Sequence, residues 1–202
     1  PEIHRKYAKQ FLKSFFNSCT PIVQLTENDI KWLSEAYPQM TYDAEKHVIS
    51  GIFSINHTFN GVTIKANFEI EVRLWRMYDR NEYPYAYNTD GKIQRIAKRK
   101  GMPKQDLHVY NDNRLCLGLP ERFREYYPNG FELPVFFKHL VEHLYWVAYY
   151  ERYGKAPWKA ELHGDDALID FYIEHEDVDN IRKLLRKKTG NGIAKQKIRN
   201  YL

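Results

Sequence analysis

A run of strict alternation restricts the fold of this chain more than any other feature. Val62, Ile64, Ala66, Phe68, Ile70, Val72 and Leu74 are separated by single intervening residues, mostly polar, and Asn60-Gly61 stands directly before them. Side chains alternate across a strand, so the pattern predicts a strand with one buried face. Asn-Gly takes the positive φ angles of a two-residue hairpin turn at little cost, which makes residues 48–59 the matching arm, with an irregularity expected at Gly51.

Helical spacing dominates elsewhere. Residues 4–17 place Tyr7, Phe11, Leu12 and Phe15 on one face. A second helix begins near Thr26, where Thr26 and Asp29 have the spacing of a capping box, continues through Ile30, Leu33 and Tyr37, and stops at Pro38. Pro134 opens a long apolar helix that Gly154 closes, and two short helices follow at about 164–174 and 178–188. Residues 83–103 are turn-rich and basic; KIQRIAKRKG within them fits either an irregular strand or an exposed helical turn. Helix, antiparallel strands, irregular segment and helices in that order make an α+β fold. The expected organisation is an N-terminal helix at 1–24, a main domain at 25–153, and a helical extension at 154–202.

Composition narrows the function classes. With 43% hydrophobic residues in 202, the chain has material for a packed core, and no apolar run approaches the roughly 18 to 20 residues needed to cross a bilayer. The amino end lacks the apolar stretch of a signal peptide, so a cytoplasmic location is expected. Cys19 and Cys116 form neither a disulfide framework nor a CxxC site and are expected as free thiols. The net charge of +5 is unevenly placed: eight acids and no Lys or Arg at 161–179, then eight Lys or Arg and no acid at 182–199. Two solvated helix faces that attract each other are the expectation there.

Cys116 is the candidate for chemistry. It leaves a polar turn, Asn111-Asp112-Asn113-Arg114, within Leu115-Cys116-Leu117-Gly118, and Pro120 follows. Such a setting can hold a thiolate at the surface, whereas core cysteines usually sit inside periodic apolar runs. The alternative from these residues alone is a small buried hydrophobe.

The ordered motifs around it resemble those of the ubiquitin-conjugating enzymes: a helix ending near 37, the hairpin 48–75, Tyr83-Pro84, the segment His108–Gly118 with its Leu-Cys-Leu, and the helix from Pro134. The resemblance covers roughly residues 25–153. Three departures are visible. His108 stands eight positions before the cysteine, where the family has the asparagine of a His-Pro-Asn tripeptide. Ala86-Tyr87 replaces the Pro-Pro after the Tyr-Pro turn, and the stretch from Tyr-Pro to cysteine is longer. In these respects the chain looks like divergent bacterial members, including those encoded beside cGAS-like nucleotidyltransferases in antiphage (CBASS) operons.

The resemblance implies a ubiquitin-conjugating-like antiparallel sheet flanked by helices, with extra C-terminal helices. It implies a cysteine acyltransferase in which Cys116 forms a thioester with the C-terminus of a partner, either a ubiquitin-like protein or a cGAS-like nucleotidyltransferase, and passes it to an amine. His108 is then the donor to the developing oxyanion or the proton acceptor from the amine, with Asn111 and Asn113 as further donors; the alternative is that His108 fixes the turn by hydrogen bonding and the two asparagines form it. No cofactor or metal is implied. The partner's C-terminus is then passed from a separate activating enzyme or captured directly, since the chain has no ATP-binding glycine loop of its own. Neither a membrane nor a nucleic acid is an expected partner.

Three rival readings remain open. A noncatalytic module of the same fold would hold a partner's tail without turnover. His139-Leu140-Val141-Glu142-His143 matches the H-x-x-E-H pattern of zinc proteases, although the chain downstream is short for the further ligand these need. A nucleic-acid binder would use 92–104 and 182–199, which carry no recognition motif.

Overall fold

The computed structural model describes residues 23–75, 83–159, 162, 164–191 and 194–199. The helix expected at 4–17, and Cys19, lie outside the described residues. The chain forms two compact units, residues 1–117 with 131–157 and residues 118–130 with 158–202.

In the first unit, α1 (Glu27–Ala36) starts at a complete capping box: the Thr26 hydroxyl accepts from the Asp29 backbone N–H at 3.2 Å, and the Asp29 carboxylate accepts from the Thr26 N–H at 2.8 Å. Aspartate does the work usual for glutamate at that position. A four-stranded antiparallel sheet follows in sequential order, β1 (Met40–Asp43), β2 (Val48–Phe59), β3 (Val62–Arg73) and β4 (Tyr85–Asn88). Asn60 and Gly61 take φ of 46° and 76°, the left-handed pair that closes a two-residue hairpin and sets Phe59 opposite Val62.

One face of the sheet is apolar: Phe53, Ile55, Ile64, Phe68, Ile70 and Val72 are buried. The helix α4 (Leu133–Tyr153) belongs to this core, its Phe137 ring 5.4 Å from Phe53, with Tyr37 stacked on Phe53 at 4.7 Å. The Tyr145 hydroxyl, in the same helix, donates to the Val62 carbonyl at 2.9 Å and so ties α4 to the start of β3. Gly154, in left-handed conformation, ends α4 as expected.

The basic stretch left open between strand and exposed turn is a helix, α2 (Lys92–Lys100), and it has a buried face of Ile93, Ile96 and Ala97. These residues fall at i, i+3 and i+4, but the six Lys, Arg or Gln residues around them obscure the period. Its first turn is held by Asn88, whose fully buried side chain accepts from the Ile93 N–H at 3.0 Å and donates to the Glu69 carbonyl at 3.1 Å. A buried amide is tolerated because both ends are satisfied.

In the second unit, a 3₁₀ turn (Pro120–Arg122) leads into the short α3 (Phe123–Tyr126), and α5 (Gly164–Glu174), α6 (Val178–Thr189) and α7 (Lys195–Arg199) follow. The acidic and basic runs meet here. Lys187 pairs with Asp165 at 3.0 Å, Lys188 with Asp166, and Lys195 with Asp179. All six side chains are partly solvated, so these pairs add little to stability. Among the described residues no helix is long and apolar enough to cross a membrane.

The irregularity expected at Gly51 has a specific cause. Its φ is +145°, and a Cβ there would lie 2.1 Å from the backbone oxygen of Gln39. Gly51→Ala is expected to lower stability by about 2–4 kcal/mol through this clash and the strained φ. Gly61→Ala, at a site with nothing within 4 Å, is expected to lose only about 1–2 kcal/mol. Urea unfolding of both variants checks this, and equal losses would mean that the Gln39 carbonyl yields without cost.

Candidate active site

Cys116 lies at the end of a small hairpin that is laid onto the sheet. The turn forms because Tyr110 accepts from the Asn113 N–H at 3.1 Å and its own N–H reaches the Arg114 carbonyl at 2.8 Å. Asn113 takes φ of +69°, a conformation asparagine tolerates better than most residues, and the Asp112 carboxylate accepts from the Arg114 N–H at 3.2 Å. The second arm then joins the edge of the sheet: Leu115 donates to Ala86 at 2.8 Å, and Asn88 donates to Asn113 at 3.0 Å. The polar turn of the sequence is thus a device for hanging Cys116 beside β4.

Both backbone groups of Cys116 are used. Its N–H donates to the His108 carbonyl at 2.8 Å. Its carbonyl accepts from the imidazole of His143 in α4, a contact made through Nδ1, since the buried Nε2 has no hydrogen-bond partner. The residue is partly exposed and its thiol is free. A hydroxyl reaches it: Tyr110 Oη donates to Sγ at 3.6 Å, a length suited to the large radius of sulfur.

Aromatic and cationic groups stack beside this pair. The Arg114 guanidinium lies 4.4 Å from the centroid of Tyr110 and 4.3 Å from that of Tyr85, so one cation bridges two rings. Each such contact contributes about 0.5–2 kcal/mol. Burial disfavours the Arg114 charge, but Tyr85, Asp112, Tyr110 and Tyr87 outweigh it and raise the pKa, so the guanidinium remains charged. The Tyr110 phenol is pushed up to about 12, first by burial and then by the charge of a Cys116 thiolate and the hydrogen bond to it. It is therefore a proton holder throughout the neutral range.

Of the residues singled out from sequence, His108 is brought to Cys116 through its backbone, in left-handed conformation with φ of 57°. Its ring packs edge-on against α4, 5.5 Å from the Trp146 ring and 6.1 Å from His143. Asn111 sits at the exposed turn, its side chain accepting from Gln105 at 3.2 Å. The Asn113 side chain accepts from Gln94 at 2.6 Å and braces the turn against α2. His139 and His143 stand one turn apart on α4, and among the described residues no group of three or more His, Cys, Asp or Glu is placed to hold a metal.

Tyr110, Arg114 and Tyr85 were not singled out from the sequence as site residues, and His143 only as half of a metal motif. A tyrosine and an arginine on either side of Asn-Asp-Asn were the available signal: the two positions that flank a tight turn face each other. Compared with protein-family models, curated proteins and solved structures, the chain matches none.

His143 has a measurable consequence. Burial, then the charge of His108, pulls its pKa down from 6.5 to about 3, against the hydrogen bond to Cys116, which favours protonation. Between those values the unfolded chain binds a proton that the folded chain does not, so stability falls as pH drops below about 6.5, by at most about 1.4 kcal/mol per pH unit. His143→Gln, which retains an N–H for the Cys116 carbonyl, is expected to flatten that part of the profile. Parallel profiles in urea titrations from about pH 7 to about pH 4 would count against a neutral buried imidazole.

Proposed function

We propose that the protein is a cysteine-dependent acyl carrier and transferase. In this reading Cys116 forms a thioester with the C-terminus of a partner protein and passes the acyl group to an amine. The observation that carries it is the clamping of Cys116: both backbone groups are engaged, the residue is only partly buried, and its free thiol lies within reach of a hydroxyl donor. A cysteine used only for packing needs no such arrangement. A carrier needs a sulfur held at one place and open to one side, because the same atom must attack, hold and release.

The order of elements supports a ubiquitin-conjugating-like fold. A capped helix precedes a four-stranded antiparallel meander, a Tyr-Pro turn precedes β4, the cysteine follows on a polar turn, and a long helix comes after it. On that likeness the donor is a ubiquitin-like protein or a cGAS-like nucleotidyltransferase, delivered with or without a separate activating enzyme in bacterial antiphage defence. His108 occupies the place of the family's asparagine. Its assigned role is to donate to the oxyanion formed as the amine attacks, or to take the amine's proton.

Two measurements test the reading. Co-expressed with the products of its neighbouring genes, the protein is expected to carry a thioester-linked polypeptide in intact mass spectra, absent from Cys116→Ala. An adduct that survives the substitution overturns the assignment. His108→Ala is expected to slow aminolysis by about 100-fold, the usual loss for one oxyanion donor, with thioester formation retained. Unchanged aminolysis removes His108 from the mechanism and leaves Cys116 in it.

A further inference from the structure

We propose that Tyr110 is a catalytic residue of the release step, its hydroxyl holding the Cys116 sulfur as that sulfur departs from the acyl group. The inference rests on the acyl-carrier reading and gives the site a direction.

Tyr110 Oη lies 3.6 Å from Sγ and donates to it. The Tyr110 backbone is tied at both ends of the turn, to Arg114 at 2.8 Å and to Asn113 at 3.1 Å, and its partly exposed ring lies against the Arg114 guanidinium at 4.4 Å. The guanidinium is itself held on Tyr85 at 4.3 Å, whose strand β4 accepts the hairpin arm through Ala86. The donor is therefore carried on the same turn that carries the cysteine.

The chemistry gives that donor unequal value in the two halves of the cycle. A thioester sulfur is neutral and a poor acceptor. When an amine adds to the thioester carbonyl, a C–N bond forms, the amine proton passes to a solvent base, and the C–S bond breaks with its electron pair going to sulfur. Sulfur then carries a full negative charge, and the Tyr110 hydrogen bond is strengthened as that charge grows. Charging runs the other way: the thiolate attacks a donor carbonyl and loses the same hydrogen bond. Tyr110 thus favours release and opposes loading.

The hydroxyl acts by donating and keeps its proton. With its pKa pushed up to about 12 it is far from the value suited to proton transfer near neutrality. A thiolate also needs no proton to leave, so a charge-stabilising donor is the fitting device.

The test uses the full chain with Cys19→Ser, so that Cys116 is the single thiol. Loading is followed by intact mass with a synthetic peptide thioester of mercaptoethanesulfonate as acyl donor, and release is followed after addition of free lysine. Tyr110→Phe, which retains the ring on Arg114, is expected to slow release by about tenfold while loading is unchanged or faster. The ratio of the two proteins' release rates is expected to stay constant from about pH 7 to about pH 9, as for a donor that does not titrate there. Equal slowing of loading and release assigns Tyr110 a merely structural role and overturns the inference, as does unchanged release. If Cys116 of the unsubstituted protein takes no acyl group, the acyl-carrier reading itself falls, and the inference with it.

Discussion

The burial of α4 against the inner face of β2 and β3 is the constraint on which the first unit depends. Phe137 meets Phe53 and Tyr37 toward one end of the helix, and Tyr145 binds the Val62 carbonyl farther along. A helix fixed at separated points against a twisted sheet cannot rotate without exposing apolar surface, at about 25 cal/mol for each Å². His143 and Trp146 lie between and beside those anchors, so their directions are set by packing that has nothing to do with chemistry. That is how a core helix can supply a well-aimed donor to the Cys116 carbonyl.

The sheet supplies the other half of the clamp. β4 is short and pairs with β3 on one side, which leaves its outer edge free to receive the arm that carries Arg114 and Leu115. Edge strands attract unintended partners unless covered, and the Cys116 hairpin covers this one. Covering an edge and positioning a thiol are done here by the same hydrogen bonds, from Leu115 to Ala86 and from Asn88 to Asn113. Loss of the hairpin would therefore affect the sheet as well as the site.

The hairpin β2–β3 was legible in the sequence because alternation over a dozen residues and an Asn-Gly turn admit one register. The ends of α1 and α4 were legible from local chemistry, Thr26 with Asp29 and Gly154. The strands β1 and β4 were not, since each has four residues and gives no period to read. The buried face of α2 was hidden by the charges around it. At the site, Cys116 stood out through its turn. Tyr110, Arg114 and Tyr85 did not, because a cation between two rings depends on the pairing of β4 with a later segment, which no local pattern encodes.

His143 shows how one spacing serves two chemistries. Two histidines at i and i+4 on a helix can share a metal only if both present a lone pair to one point. In His143 the Nδ1 nitrogen is committed as a donor to the Cys116 carbonyl, which leaves the lone pair on Nε2, shut away from water and without a partner. An unsatisfied buried acceptor costs about 1–3 kcal/mol, a cost that packing of α4 can absorb but that packing alone gives no reason to incur. Leucine or phenylalanine would fill such a place more cheaply. What the imidazole adds is one rigid N–H on the Cys116 carbonyl, and pinning that carbonyl fixes the direction in which the next atom of consequence, the sulfur, is presented.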